Sequence, residues 1–134
     1  MDNKELIEKA VQSLKYSYSP YSEFSVGASL LTKEGNLYTG CNIENASYSA
    51  TVCAERTAFF SALSKGEKNF FKIAIVGGKY GKINDFCYPC GVCRQVMSEF
   101  CHDDFEIVLF NGEEIKTFKL GELLPYGFGS DNLC

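Results

Sequence analysis

The chain has 134 residues, 46% of them hydrophobic and 22% charged, and a formal net charge of −4. That length fits one domain spanning residues 1–134, and the composition excludes a disordered or low-complexity chain. The acidic balance, without a Lys/Arg cluster, excludes the electrostatic footprint of a nucleic-acid binder.

In chain order, Asp2 to Tyr18 reads as an amphipathic helix. Leu6, Ile7, Ala10, Val11 and Leu14 recur at three- and four-residue steps, and Asp2 or Asn3 can cap the start. Ser19-Pro20-Tyr21-Ser22 breaks the pattern. Phe24 to Thr32 and Asn36 to Cys41 read as two strands joined by a Lys33-Glu34-Gly35 turn. After a polar, irregular stretch from Asn42 to Thr51, Cys53 to Lys65 reads as a buried helix that Gly66 can end. Phe70 to Val76 is almost wholly apolar, as in a strand covered on both faces, and Gly77-Gly78 is expected to close it.

Lys79 to Pro89 reads as a loop, and Gly91 to Cys101 as a helix with Val92, Val96, Met97 and Phe100 on one side. Phe105 to Phe110 is a further apolar strand, followed by an Asn111-Gly112 turn, a last strand at Ile115 to Phe118 and a short helical turn at Glu122 to Leu124. This order implies an α/β fold, a three-layer αβα sandwich. Its mixed sheet of about five strands begins with an antiparallel hairpin and continues with parallel strands.

No apolar stretch is long enough to span a bilayer; the longest, such as Ile73 to Val76, are far too short. Met1 to Glu5 lacks the basic-then-apolar pattern of a signal peptide. A cytoplasmic protein without a membrane partner is expected. Seven cysteines, at 41, 53, 87, 90, 93, 101 and 134, are an odd number and cannot all pair within one chain. In a reducing compartment, metal binding outranks disulfides.

Two segments carry the chemistry: Cys53-Ala54-Glu55-Arg56 and Pro89-Cys90-Gly91-Val92-Cys93-Arg94-Gln95. Each opens a predicted helix. Cys90 and Cys93 share one side of a first helical turn, and Cys53 can join them if the two helices lie side by side. Three thiolates around zinc, at about 2.3 Å, leave a fourth position open, the arrangement of a catalytic site. Helix N-termini favour thiolate. Glu55, two residues after a ligand, can hang over the open position as a base. A solvated acid near a helix N-terminus is the ordinary alternative, and the cysteines decide against it. Arg56 can donate to ligand sulfurs and offset their negative charge.

Together with Tyr21-Ser22-Glu23-Phe24-Ser25-Val26-Gly27-Ala28, Gly40-Cys41-Asn42-Ile43-Glu44-Asn45-Ala46 and Leu123-Leu124-Pro125, these segments resemble the cytidine deaminase family, in its small homotetrameric three-cysteine branch. The pieces run in the family's order and cover nearly the whole chain. The resemblance implies one Zn2+ per chain on Cys53, Cys90 and Cys93. It also implies hydrolytic deamination of cytidine and 2'-deoxycytidine, with water added at C4 of the pyrimidine. Glu55 would carry the proton to N3 and assist the departing ammonia, and the Ala54 backbone N–H would hold O2.

Asn42 and Glu44, two apart in extended chain, would bind the sugar, and the carboxylate would disfavour a phosphorylated substrate. Turn chemistry is the plainer reading of the asparagines. Phe24 would pack on the base or sugar, or serve the core. Tyr48 and Phe128 match positions that meet a neighbouring subunit's site in a homotetramer.

Tyr88 stands where the family more often has a small serine. Cys87 forms an additional Cys-x-x-Cys with Cys90. As a fourth ligand it would make a closed structural zinc module, but Pro89 favours an extended residue before it and keeps Cys87 outside the helix, as a spare thiol. Cys41, Cys101 and Cys134 read as small buried residues or free thiols, and His102 as a helix-end histidine.

Overall fold

A computed structural model of the chain describes residues 1–133; Cys134, expected as a buried residue or free thiol, lies outside them. Helix α1 (Asn3–Leu14) begins with a capping box in which Asp2 accepts from the Glu5 backbone and Glu5 returns a bond to Asp2. It is shorter than the periodicity predicts. Tyr18 leaves the helix to bridge Ile43, donating its N–H to Asn42 and accepting from Glu44. A tertiary contact thus ends α1 ahead of Pro20.

Strands β1 (Phe24–Thr32) and β2 (Leu37–Cys41) form the expected hairpin, with Gly35 at φ 92° in its turn. Then come helix α2 (Ala54–Ser64), strand β3 (Phe70–Lys79), helix α3 (Gly91–Phe100), strands β4 (Glu106–Phe110) and β5 (Ile115–Lys119), and a single helical turn α4 (Leu120–Leu123). The sheet has five strands in the order β2-β1-β3-β4-β5.

The mixed character holds, but only β3 and β4 pair in parallel; β1–β3 and β4–β5 are antiparallel. The crossover through α2 joins two strands of the same direction, β2 and β3. β1 inserts between them, so each meets an antiparallel neighbour. β5 returns directly from β4 through a turn in which Asn111 accepts from the backbones of Glu113 and Glu114, and a two-stranded return of that kind cannot be parallel.

β3 runs through Gly77-Gly78 instead of stopping there. Both glycines pair with β1, opposite Val26 and Ser25, and a Cβ at Gly78 would lie 1.7 Å from the Lys82 carbonyl oxygen. They mark a close backbone approach, which a strand ending would not need.

Alternation along the central strands divides the core. Ala28, Leu30, Ile73, Ile75, Ile107 and Leu109 face α2 and α3, where Phe59 packs on Phe70 and Phe105. Leu31, Ala74, Val76 and Val108 face Leu6, Ile7, Ala10 and Leu14 of α1. β3 is covered on both faces, as its apolar run predicts. In α3 the buried residues are Cys93 and Met97, whereas Val92 and Phe100 stay exposed. Among the described residues no helix is long and apolar enough to cross a membrane.

Candidate metal centre and active site

The fold brings the N-termini of α2 and α3 together at one end of the sheet. Cys53 is the N-cap residue of α2, and Cys90 that of α3. Cys93 follows in the first turn of α3, where it is almost wholly buried. α2 is held against β2 by close approach: a Cβ at Gly40 would lie 2.5 Å from the Ala54 carbonyl oxygen and 2.6 Å from the Ala58 nitrogen. The Thr57 hydroxyl adds hydrogen bonds to the Cys41 and Cys53 carbonyls, at 3.1 and 3.2 Å.

The sulfurs of Cys53, Cys90 and Cys93 lie within 4.8 Å of one another, and they are the one such metal-holding group among the described residues. The Cys53 and Cys90 sulfurs are 3.6 Å apart. Tetrahedral zinc with bonds of about 2.3 Å requires sulfurs separated by roughly 3.8 Å, so the donor set fits zinc in kind and in spacing. Cys87 is not part of the group. Its half-buried sulfur packs beside Gly77, and burial pushes the thiol up to about 12, with the charges of Glu55, Cys53 and Cys90 adding to the rise. Cys87 is therefore a protonated thiol outside the three-sulfur group.

The three sulfurs are electrostatically unequal. A hydrogen bond from Cys93 lowers Cys53 to about 5 against the cost of burial, helped by Arg56 and Cys90. The same bond, seen from the donor, raises Cys93. The Arg56 guanidinium donates to the Cys53 sulfur at 3.3 Å. Burial works against its charge, but its bonds to Cys53 and Cys93 outweigh that and hold it firmly protonated.

Glu55 is 4% exposed, which a solvated helix-terminal acid would not be. Burial pushes its carboxyl up to about 7; its own backbone N–H works against the rise, the Cys53 charge adds to it, and a bond from Cys93 opposes it. A carboxyl poised near neutrality beside a metal site is suited to take and return a proton. Ala54 is fully buried in the first turn of α2, where backbone N–H groups have no partner within the helix.

Asn42 and Glu44 both turn toward the Ser17–Val26 segment. The Asn42 Oδ1 accepts from the Val26 backbone at 2.9 Å and from the Ser17 hydroxyl, and its Nδ2 donates to the Phe24 carbonyl at 2.8 Å. Glu44 accepts from the Tyr21 and Ser22 backbones at 2.9 and 3.1 Å and from the Ser22 hydroxyl. These bonds, that of the Ser22 hydroxyl first, hold its carboxyl below the usual range. Sequence reading missed Ser17, Ser22 and the Tyr21 backbone as partners. The serine-rich run before β1 is the only local sign of them.

Phe24 is 39% exposed at the start of β1, so it is not a core phenylalanine. Tyr48 stands exposed with its ring edge-on to Tyr21, and the two border a cleft of about 380 Å3 that also takes in Ser22, Glu44, Asn45 and Thr51. Phe128 is exposed, and its carbonyl accepts from the Gln95 side chain at 2.8 Å, tying the C-terminal segment to α3. Cys41 and Cys101 are half-buried free thiols, and His102 lies exposed just past α3.

A family model described as the cytidine and deoxycytidylate deaminase zinc-binding region matches residues 1–109. The chain is 43% identical over 134 residues to a cytidine deaminase of Sporosarcina psychrophila, covering 99% of this chain and 96% of that one. It is 44% identical to a cytidine deaminase of Halalkalibacterium halodurans, covering 99% and 98%. Among solved structures, the crystal structure of cytidine deaminase from Burkholderia pseudomallei superposes with a TM-score of 0.88 at 44% identity, covering 96% of this chain and all of that one. With the zinc-binding region matched, full-length relatives above 40% identity and the same fold, the chain belongs to the cytidine and deoxycytidylate deaminase family.

Proposed function

We propose that this chain is a single catalytic domain that deaminates cytidine and 2'-deoxycytidine to uridine and 2'-deoxyuridine, releasing ammonia. The observation that carries this reading is a cluster of three sulfurs, with no fourth ligand in the group among the described residues, next to the buried carboxylate of Glu55. Cys53, Cys90 and Cys93 would hold one zinc ion. When bound, zinc lowers the pKa of water and supplies a nucleophile at neutral pH.

The protein's own groups do the rest. Glu55 accepts a proton from the incoming water, delivers it to N3 of the ring and passes a proton to the departing amine. Its burial keeps bulk water from competing for that proton. The Ala54 N–H, at the positive end of α2, receives O2 of the pyrimidine. Arg56 holds the Cys53 thiolate in place and offsets the excess negative charge of the ligand set.

Asn42 and Glu44 act twice: they fix the segment carrying Phe24, and with the bonding capacity left on Nδ2 and the carboxylate oxygens they take the sugar hydroxyls. The ionised Glu44 disfavours a 5'-phosphate, so a free nucleoside is the substrate. Phe24 covers the nucleoside from the sheet side.

The exposed rings of Tyr48 and Phe128 fit a homotetramer in which each completes a neighbour's site, and the exposed Phe60 of α2 supports burial of that helix between copies. The six described cysteines are free thiols, which fits the reducing cytoplasm.

The test is incubation of purified protein with cytidine, cytidine 5'-monophosphate and a blasticidin-type nucleoside. Uridine and ammonia are followed, and zinc is measured per chain. Turnover of cytidine well above the other two, with one zinc per chain, is expected. Preference for the nucleotide or the antibiotic would replace the assigned substrate, and zinc without turnover of any of the three would remove the enzymatic reading.

A further inference from the structure

The segment that delivers Cys90 to the cluster is held at Pro89, which is buried and whose carbonyl accepts from the Arg94 Nε at 2.8 Å, but it is open on either side. Cys90, Gly91 and Val92 are all exposed, and α3 begins without a side-chain cap. Just upstream, Phe86 and Cys87 both pack against the main core, Cys87 beside Gly77, while the exposed Tyr88 turns to the edge strand β5.

There the Tyr88 ring lies 5.9 Å from that of Phe118, tilted by 58°, and 6.4 Å from that of Phe86, tilted by 56°. The Lys116 Nζ sits 4.8 Å above the Phe86 ring. Phe118 is the only β5 residue that is not exposed. Tyr88 thus adds a second tie beside the Arg94–Pro89 bond, joining the chain ahead of Pro89 to an otherwise exposed strand through the ring pairing that aromatic side chains favour.

We propose that Tyr88 is a positioning residue, whose ring on Phe118 and Phe86 fixes the approach of the chain to Pro89 and preorganises Cys90 for the metal. This rests on the reading that Cys53, Cys90 and Cys93 hold zinc. Supports of a metal ligand typically change affinity by about 10–100-fold when removed. The larger effect belongs to groups bonded directly to a ligand, so the smaller is expected here.

The experiment is competitive zinc titration of the metal-free full-length protein against a chromophoric chelator. Tyr88→Ala is expected to weaken zinc binding about tenfold. Tyr88→Phe, which keeps the ring and loses only the hydroxyl, stays at parent affinity. Phe118→Leu weakens binding in the same direction and serves alone should Tyr88→Ala not fold. The double variant is no weaker than Tyr88→Ala, because both act through one contact.

Parent affinity in both single variants, or losses that simply add in the double variant, would overturn the proposal. Cys90→Ser separates the two failures. If it loses zinc while Tyr88→Ala and Phe118→Leu do not, only the positioning role falls; if it binds zinc like the parent, the metal reading itself falls.

Discussion

At the residue scale the decisive group is Glu55. Its type and its place after Cys53 are legible in the sequence, but its burial is not, because burial depends on how α2 and α3 pack. Glu55→Gln preserves shape and removes the group proposed to carry the proton. Zinc content is expected to stay at the parent level while kcat falls about 10²–10⁴-fold. A variant with parent kcat would end the acid/base assignment.

Burial of Glu55 also has a signed consequence for stability. Its folded value, about 7, lies above the ordinary 4.5. The folded state therefore binds its proton more tightly than the unfolded one. Ionising it costs stability as pH rises from 4.5 through 7, and the cost is complete above 7. In metal-free protein, Glu55→Gln should be more stable than the parent at pH 8, by on the order of 3 kcal/mol, and the difference should vanish near pH 4. Urea midpoints at the two pH values check this. Asn42 and Glu44 were legible as polar neighbours in an extended stretch. Their bonds to Ser17, Ser22 and Val26 join residues distant in sequence, which no local pattern displays.

At the element scale, local devices were readable and pairings were not. The Asp2 cap, the turn at Gly35 and the apolar run of β3 each have a signature within a few residues. The insertion of β1 between β2 and β3 has none, since it follows from which strand edges meet. The glycines show the same division. Gly77-Gly78 resembles a strand end in sequence and proves to be a crossing point for the 82 carbonyl.

Gly40 has the clearest consequence for the site, because it lets β2 touch the backbone of the first turns of α2. Gly40→Ala pushes a methyl into the Ala54 carbonyl, a backbone atom that cannot swing aside. A loss of about 1–3 kcal/mol in unfolding free energy is expected, together with weaker zinc retention, as α2 carries Cys53. Urea unfolding and zinc retention on dialysis measure the two effects. A variant as stable as the parent would show that the helix has room to shift.

At the scale of the whole molecule, the αβα layering places two helix N-termini at one end of the sheet and closes the core behind them. It leaves Tyr48 and Phe128 exposed on the single chain. Light scattering is expected to give four chains per particle. Phe128→Ala is expected to raise KM roughly tenfold, in line with about 1–3 kcal/mol for a ring stacked on a base, without changing zinc content. An unchanged KM would remove Phe128 from the site.

The layering matters most where it joins three sulfurs from two helices, and zinc-edge X-ray absorption of the purified protein examines that junction directly. Three sulfurs at about 2.3 Å and one oxygen at about 2.0 Å are expected around each zinc. Four sulfurs, with no oxygen, would contradict a catalytic centre.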